Sequence, residues 1–281
     1  MCRLALFFKS PSLSEKNLAS ILKALEDSMG GHGNGIGYYK DGKPVVKKGV
    51  KYTVYDAARD AIAAPADSFI FHTRLASVGG QYSSNNHPYE LDTFIGAHNG
   101  TVSQDIWRTI QIVLALNKIY LPAMTDSIHV LKAIELAGTE FVHLIVESGV
   151  WLRLFPEGSG NVVVYGDFTA TKLKDGTMFY ASEFTDDLVK LGVEFWEFPR
   201  GSEANLFKDH FEMIYGKAKK VKNPIVIHRY RHSNYDYYGS PYSSYSSSQK
   251  VSSQISDEKA REIIEYVFGD IIEKEEKGEN K

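Results

Sequence analysis

Short apolar runs, separated by turn-forming residues, dominate the first two-thirds of the chain. Residues 3–8 (RLALFF) form one such run, and the runs at 35–39 and 45–50 flank the turn-forming segment KDGKP. Two strand-like runs joined by an Asp-Gly turn are typical of a β-hairpin. We expect further strands at residues 68–76, 94–102, 141–148, 150–155, 161–167, 177–183 and 193–199.

Two segments instead carry apolar residues at helical spacing. Residues 103–117 have apolar side chains at Ile106, Trp107, Ile110 and Val113, and residues 125–138 begin with an acid and end at a glycine. This spacing and these end residues predict two helices. Because hairpins dominate and the helices are grouped, the pattern predicts an α+β layered fold in which helices cover antiparallel sheets.

The composition changes at residue 229. Residues 229–255 are rich in Tyr and Ser and nearly lack aliphatic side chains, so we expect a flexible linker that builds no core of its own. Residues 256–276 predict an amphipathic helix, whose apolar face either docks on its own domain or contacts another subunit or a partner. We expect residues 2–228 to form one domain, which contains all the candidate site residues.

Composition and charge narrow the class of partner. The chain has 43% hydrophobic residues and a net charge of -3, which predicts no nucleic-acid or membrane partner. The basic cluster at 216–222 is expected to be a solvated turn, with a phosphate or partner patch as the alternative. The apolar run at 4–8 is too short for a signal peptide, and no run reaches about 18 apolar residues. We therefore expect a cytoplasmic protein.

Cys2 is the only cysteine and follows the initiator methionine. If Met1 is removed, the thiol becomes a nucleophile whose own α-amine, with a pKa of roughly 7.7 to 8.0, can take its proton. The alternative interpretation is a small buried residue in the first strand.

Four downstream stretches bear on that choice. FHTRLASVGG contains Arg74, SNNHPY contains His87, AHNGTV contains Asn99 and Gly100, and MTDSIHVL contains Asp126. Each is weak alone, since Arg74 can be a surface charge, HNG a turn and Asp126 a helix cap. In this order and with the terminal cysteine, they closely resemble the class II glutamine amidotransferases, a branch of the N-terminal nucleophile hydrolases. The resemblance covers roughly residues 2–183.

The resemblance implies a four-layer αββα sandwich and a set of roles. Cys2 would attack the side-chain amide carbon of glutamine, and the Asn99 amide and Gly100 N–H would hold the oxyanion. Arg74 would bind the substrate α-carboxylate, since its planar fork matches a carboxylate, and Asp126 would pair with the α-ammonium. Ser77 and His87 are expected to contact substrate as well.

No cofactor or metal is expected. His72, His87 and His98 do not have the spacing of a standard zinc site. The glycine-rich residues 31–37 lack the Lys-Ser/Thr of a phosphate-binding loop, and in the family a similar segment is structural and lies near the pocket.

One departure shapes the expected function. Many family members begin Cys-Gly, whereas Arg3 follows Cys2 here, as in stand-alone members, and no second catalytic domain is recognisable. We expect an amidohydrolase that releases ammonia from glutamine through a γ-glutamyl thioester, with a separate acceptor subunit or a homodimer as possible assemblies. The alternatives are a hydrolase of a small γ-glutamyl peptide or conjugate, and a non-catalytic glutamine-binding or scaffold protein.

Overall fold

A computed structural model describes residues 2–77, 79–121 and 125–226. The chain divides into two units, residues 1–229 and 230–281, and the described residues all lie in the first. The predicted linker at 229–255 and the predicted helix at 256–276 lie outside the described residues.

The first sheet has eight strands, and all its neighbouring strands are antiparallel. Its spatial order is β14-β11-β9-β10-β1-β4-β2-β3. The strands are β1 (Arg3–Phe8), β2 (Asn34–Lys40), β3 (Lys43–Gly49), β4 (Ser68–Thr73), β9 (Thr169–Leu173), β10 (Met178–Ala181), β11 (Gly192–Glu197) and β14 (Lys219–Val221).

The second sheet has six strands and is also antiparallel, in the order β13-β12-β8-β7-β6-β5. Its strands are β5 (Tyr89–Glu90), β6 (Ile95–Asn99), β7 (Gly149–Leu154), β8 (Gly160–Tyr165), β12 (Ser202–Leu206) and β13 (Phe211–Tyr215).

Within the described ranges, five α-helices flank these sheets. Side-chain hydroxyls of Ser14, Thr53, Ser103 and Thr185 cap four of them by accepting a backbone N–H of the first turn, which satisfies a donor that has no partner within the helix. The helices are α1 (Glu15–Met29), α2 (Val54–Ala63), α3 (Gln104–Leu116), α4 (Asp126–Ala137) and α5 (Asp186–Leu191).

The core is divided into two apolar layers by the central strand β1. Ala5 and Phe7 pack in a cluster with residues of α1 and α2, whereas Leu4, Leu6 and Phe8 pack between the two sheets. Every residue of β1 is buried, as expected for a strand covered on both faces. On the far side, α4 packs on β6, where a Cβ added to Gly96 would lie 2.8 Å from a methyl carbon of Leu131. The predicted four-layer α+β sandwich is therefore confirmed.

Most predicted elements lie where the pattern placed them. The β2–β3 hairpin and the helices at 103–117 and 125–138 are present within one or two residues at each end. The basic cluster at 216–222 is only partly a turn, because Lys219–Val221 form the edge strand β14. The two lysines of β14, Lys219 and Lys220, are exposed, as expected for a solvated surface segment.

The predicted strand at 141–148 is wrong. Val142–Val146 form one turn of π-helix instead, closed by a hydrogen bond from Glu147 N to Val142 O at 2.9 Å. Val142 and Val146 are both buried, and a spacing of four residues places them on the same side of a helical turn. A short apolar run cannot be assigned to strand or helix from periodicity alone.

The described residues also contain helices that the strand-rich interpretation missed. In α1, the buried residues Leu18, Ile21, Leu22 and Leu25 follow a Ser14 cap at helical spacing. In α2, Thr53 and Asp56 form a capping box. Among the described residues, no helix is both long and apolar enough to cross a bilayer.

Candidate active site

Cys2 lies directly before β1, at the end of the sandwich where β1, β4 and β6 meet a set of loops. Its backbone nitrogen donates a hydrogen bond to Asn99 Oδ1 at 3.0 Å, and its Sγ lies 3.3 Å from Leu75 N and 3.6 Å from Leu75 O. The side chain is 8% exposed. The thiol and the nitrogen of one residue are thus both held by hydrogen bonds, from β4's following loop and from β6.

The surroundings of the Cys2 thiol favour its protonated form. Burial raises the pKa of Cys2 above its usual value, whereas the Leu75 N–H and the Arg74 guanidinium act to lower that pKa and Asp126 acts to raise it. Because the net direction is upward, a nearby base is needed to generate the thiolate during a reaction.

Arg3 anchors the backbone of Cys2 and is not among the predicted site residues. Its Nη1 donates to Cys2 O at 3.1 Å and its Nε donates to Ser28 Oγ at 3.0 Å. Its Nη2 lies 3.0 Å from Glu183 Oε2 in an ion pair. The guanidinium therefore makes two hydrogen bonds and one ion pair, which together allow a charge that is only 2% exposed at the start of a core strand.

Asn99 and Gly100 lie at the end of β6. Asn99 Nδ2 lies 3.5 Å from Ser182 Oγ, and a primary amide has two N–H donors, so a second donor remains for a ligand. Gly100 has φ +153°, and a Cβ there would lie 2.7 Å from both Gly149 Cα and His98 Nε2. Only glycine fits this backbone and this space.

Arg74 follows β4 and is 4% exposed. Its backbone N–H donates to Gly33 O at 2.8 Å, its carbonyl accepts from His32 N at 2.9 Å, and its Nη1 donates to Gly80 O. Burial lowers the pKa of Arg74. The glycine-rich segment thus supports the Arg74 backbone, which agrees with the structural role expected for it.

Asp126 is the first residue of α4 and is 4% exposed. Its Oδ2 accepts from Val102 N at 2.7 Å, and its Oδ1 accepts from Ser127 N at 2.9 Å. Its charge acts on the pKa of both Cys2 and Arg74. The structure therefore brings Cys2, Arg74 and Asp126 within electrostatic reach of each other, although 124 positions separate the first from the last.

The two remaining predicted site residues differ in exposure. Ser77 is exposed, and its Oγ lies 3.4 Å from Thr101 Oγ1, across the opening between two loops. His87 is buried, with Nδ1 2.8 Å from His72 Nε2 and its ring 4.8 Å from the ring of Tyr89. Contact of either residue with substrate stays a prediction.

Four histidines are buried among the described residues, namely His72, His87, His98 and His129. Burial lowers the pKa of each and so favours the neutral ring. For His72 and His87 the pKa falls well below the usual value, and for His98 the pKa falls to about 4. Within the described ranges, no group of three or more His, Cys, Asp or Glu side chains is arranged to hold a metal ion.

Four residues that hydrogen-bond to the candidate site residues are not predicted from the sequence. They are Arg3, Leu75, Ser127 and Ser182. Ser127 carried a signal, because it directly follows Asp126. Leu75 and Ser182 act on partners 73 and 83 positions away, through backbone atoms or a hydroxyl, and nothing in their local sequence marks them.

No protein-family model and no curated protein matches the chain, but solved structures do. The glutamine phosphoribosylpyrophosphate (PRPP) amidotransferase from B. subtilis, complexed with ADP and GMP, matches at 15% identity and a TM-score of 0.52. A structure described as the allosteric regulatory enzyme of purine biosynthesis matches at 15% identity and a TM-score of 0.58. Each match covers 80% of this chain and 50% of the other. A glutamine aminotransferase class-II domain protein from Silicibacter pomeroyi matches at 11% identity and a TM-score of 0.48, over 75% of this chain and 98% of that one.

At these identities the likeness shows the fold. The chain has the N-terminal nucleophile hydrolase fold of the PRPP amidotransferase, so the fold that the motif resemblance implied is confirmed. The chain spans about half the length of those two proteins.

Proposed function

We propose that this chain is an amidohydrolase of the class II glutamine amidotransferase type, which releases ammonia from glutamine through a γ-glutamyl thioester on Cys2. The observation that carries the proposal is the pairing of Cys2 with Asn99. The backbone nitrogen of Cys2 lies 3.0 Å from the Asn99 side chain at the end of β6, so nucleophile, adjacent base and oxyanion donor converge on one point.

The reaction requires removal of Met1, which turns the Cys2 backbone nitrogen into an α-amine. The thiol proton moves to that amine while Sγ bonds to the side-chain amide carbon of glutamine. The Asn99 amide and the Gly100 N–H hold the resulting oxyanion. As the C–N bond breaks, the ammonium form of the α-amine returns the proton to the departing ammonia. Water, deprotonated by the same amine, then hydrolyses the thioester to give glutamate and the free thiol.

Two charged groups read the amino-acid head group of the substrate. Arg74 binds the α-carboxylate through its planar guanidinium, and Asp126 pairs with the α-ammonium. Arg74 and Asp126 are each 4% exposed. Because few water molecules surround them, their electrostatic attraction to a charged substrate group is stronger than it would be in bulk water. The site therefore prefers a free glutamine or γ-glutamyl head group to a glutamine inside a peptide.

The ammonia passes to an acceptor enzyme on a separate subunit. The proposed reaction takes place in the cytoplasm.

The decisive experiment measures ammonia release from glutamine by protein that begins at Cys2, as verified by intact mass. Matched controls are Cys2→Ala and the same protein with Met1 retained. We expect turnover only when Cys2 is both present and N-terminal, with kcat/KM rising with pH up to about 8 as the α-amine loses its proton.

Two results would contradict the proposal. Turnover that persists in Cys2→Ala would exclude the thioester. Turnover of γ-glutamyl peptides or conjugates, without release of ammonia from glutamine, would replace the proposed leaving group with a larger one.

A further inference from the structure

The loop that carries the proposed oxyanion donors is fastened at both ends. We define the oxyanion loop as residues 99–102. At its start, the carbonyl of His98 accepts a hydrogen bond from His72 Nε2 at 3.1 Å, and at its end Val102 N donates to Asp126 Oδ2 at 2.7 Å. The second contact joins the loop to the carboxylate that the proposed function assigns to the substrate ammonium.

A second chain of hydrogen bonds reaches the same carboxylate from β6. Ser127 Oγ lies 3.3 Å from Asp126 Oδ1, and His98 Nδ1 lies 3.0 Å from Ser127 Oγ. Because a carboxylate only accepts, the serine hydroxyl donates to Asp126 and its oxygen accepts from His98 Nδ1–H. The direction of every bond in the chain is therefore fixed.

The imidazole at the head of this chain is closely packed. The ring of His98 stacks on Trp151 with centroids 3.7 Å apart and planes within 3°. At its Nε2 edge, Cβ atoms built on Gly100 and Gly149 would lie 2.7 and 2.4 Å from the nitrogen. The ring therefore stacks on an indole and has two glycine backbones close to its Nε2 edge.

The carboxylate is almost fully used by these contacts. Oδ1 accepts from the Ser127 N–H and the Ser127 hydroxyl, while among the described residues Oδ2 accepts only from Val102 N–H. Each carboxylate oxygen can accept about two hydrogen bonds, so the open position is on Oδ2. An ammonium bound there shares one oxygen atom with the amide that holds the oxyanion loop.

We propose that His98 and Ser127 are positioning residues that orient Asp126, so that binding of the substrate α-ammonium is coupled to the geometry of the oxyanion loop. This inference rests on the proposed function. Its consequence is that the α-ammonium raises kcat as well as lowering KM, because it acts on a loop that works in the transition state.

The test compares glutamine with glutaramate, which has the same amide and carboxylate but no α-amino group. For the wild type we expect a kcat for glutamine at least about fivefold above that for glutaramate, the lower end of ordinary coupling between sites. In Ser127→Ala this kcat ratio should fall toward one, whereas Ser127→Thr, which keeps a hydroxyl, should retain it. Ser202→Ala is the matched control, since the Ser202 hydroxyl is buried and has no hydrogen-bond partner among the described residues.

The outcomes separate the two proposals. If the wild type turns over both substrates with equal kcat, or if Ser127→Ala lowers kcat for both by the same factor, the coupling is overturned while the glutaminase activity stands. A wild type that hydrolyses neither substrate would overturn the proposed function, and the coupling with it. The wild-type comparison needs no variant, so equal kcat values for the two substrates would overturn the coupling even if Ser127→Ala does not fold.

Discussion

Arg3 shows how a charged residue can occupy a core strand. Its guanidinium donates to Ser28 Oγ and Cys2 O and faces the carboxylate of Glu183. A buried charge is tolerated only when its hydrogen-bonding groups are matched. Arg3 is therefore a structural anchor, and its contacts explain how a charged side chain suits the first position of β1.

We predict that Arg3→Lys destabilises the protein by about 2–4 kcal/mol, because an ammonium cannot reach three partners at once and hydrogen bonds to charged groups contribute about 1.5–3 kcal/mol each. Urea unfolding measures this change. The matched control is Arg59→Lys, since Arg59 pairs with Asp56 on the surface and such pairs contribute about 0–1 kcal/mol. Equal effects at the two positions would contradict the role of Arg3.

Single elements place the chemistry by where they end. Strand β4 ends at Thr73, one residue before Arg74, and strand β6 ends at Asn99, while helix α4 begins at Asp126. Because β1 pairs with β4 so that Arg3 faces Thr73, the cysteine before β1 lies beside the loop that follows β4. The ends of three separate elements thus meet at one edge of the sandwich.

At the level of the β6 end, we predict that Gly100→Ala lowers kcat about 100-fold or more, the loss typical for one oxyanion donor. The added Cβ would collide with Gly149 and His98 and displace the loop. The control is Gly176→Ala, because Gly176 also has positive φ (+88°) but its Cβ would meet nothing within 4 Å. Steady-state kinetics on both variants, with thermal unfolding alongside, measures the difference. Normal kcat in Gly100→Ala would contradict the assignment.

At the scale of the whole molecule, three of the four buried histidines among the described residues, His72, His87 and His98, connect the two sheets. His72 lies on β4 of the eight-stranded sheet, and its Nε2–H donates to the carbonyl of His98 on β6 of the six-stranded sheet. Since a carbonyl only accepts, His87 Nδ1 must also act as an acceptor toward the same N–H. This arrangement requires a neutral His87 ring, because a nitrogen that accepts carries no proton.

We therefore predict that acid weakens the fold between pH 6.5 and 4. Burial lowers the pKa of His72, His87 and His98 in the folded state, so the unfolded chain binds more protons in this window. Their contribution is fully present above pH 6.5 and falls with pH, by about 1.4 kcal/mol per pH unit for each histidine. Urea unfolding at pH 7, 6 and 5 measures the slope.

Two variants test the source of that slope. His87→Gln should reduce it by about 1.4 kcal/mol per pH unit, because one titrating group is removed. His210→Gln is the control, since His210 is exposed beside Asp209. A free energy of unfolding that is the same at pH 7 and pH 5 in the wild type would contradict the prediction.

Much of the layered fold and the list of candidate residues follow from local patterns in the amino-acid sequence. Alternating apolar runs, the Asp-Gly turn and the spacing in α3 and α4 are local signals, and each element formed near its predicted position. The order of the motifs around Cys2, Arg74, Asn99 and Asp126 can also be recognised in the sequence, because each motif is contiguous in the chain. Helix α1 was legible too, from Leu18, Ile21, Leu22 and Leu25 after the Ser14 cap, although the strand-rich interpretation passed over it.

The conformation of residues 141–148 and the long-range contacts of the site depend on the tertiary structure. Whether residues 141–148 form a strand or a helical turn depended on which surface buried Val142 and Val146, and this is not a local property. The contacts of Arg3 with Glu183, of Cys2 with Leu75 and of His98 with Ser127 join positions far apart in the chain. They exist because strand pairing fixes which ends of β1, β4 and β6 come together, and pairing is set by the summed burial of both apolar layers rather than by the residues that finally touch.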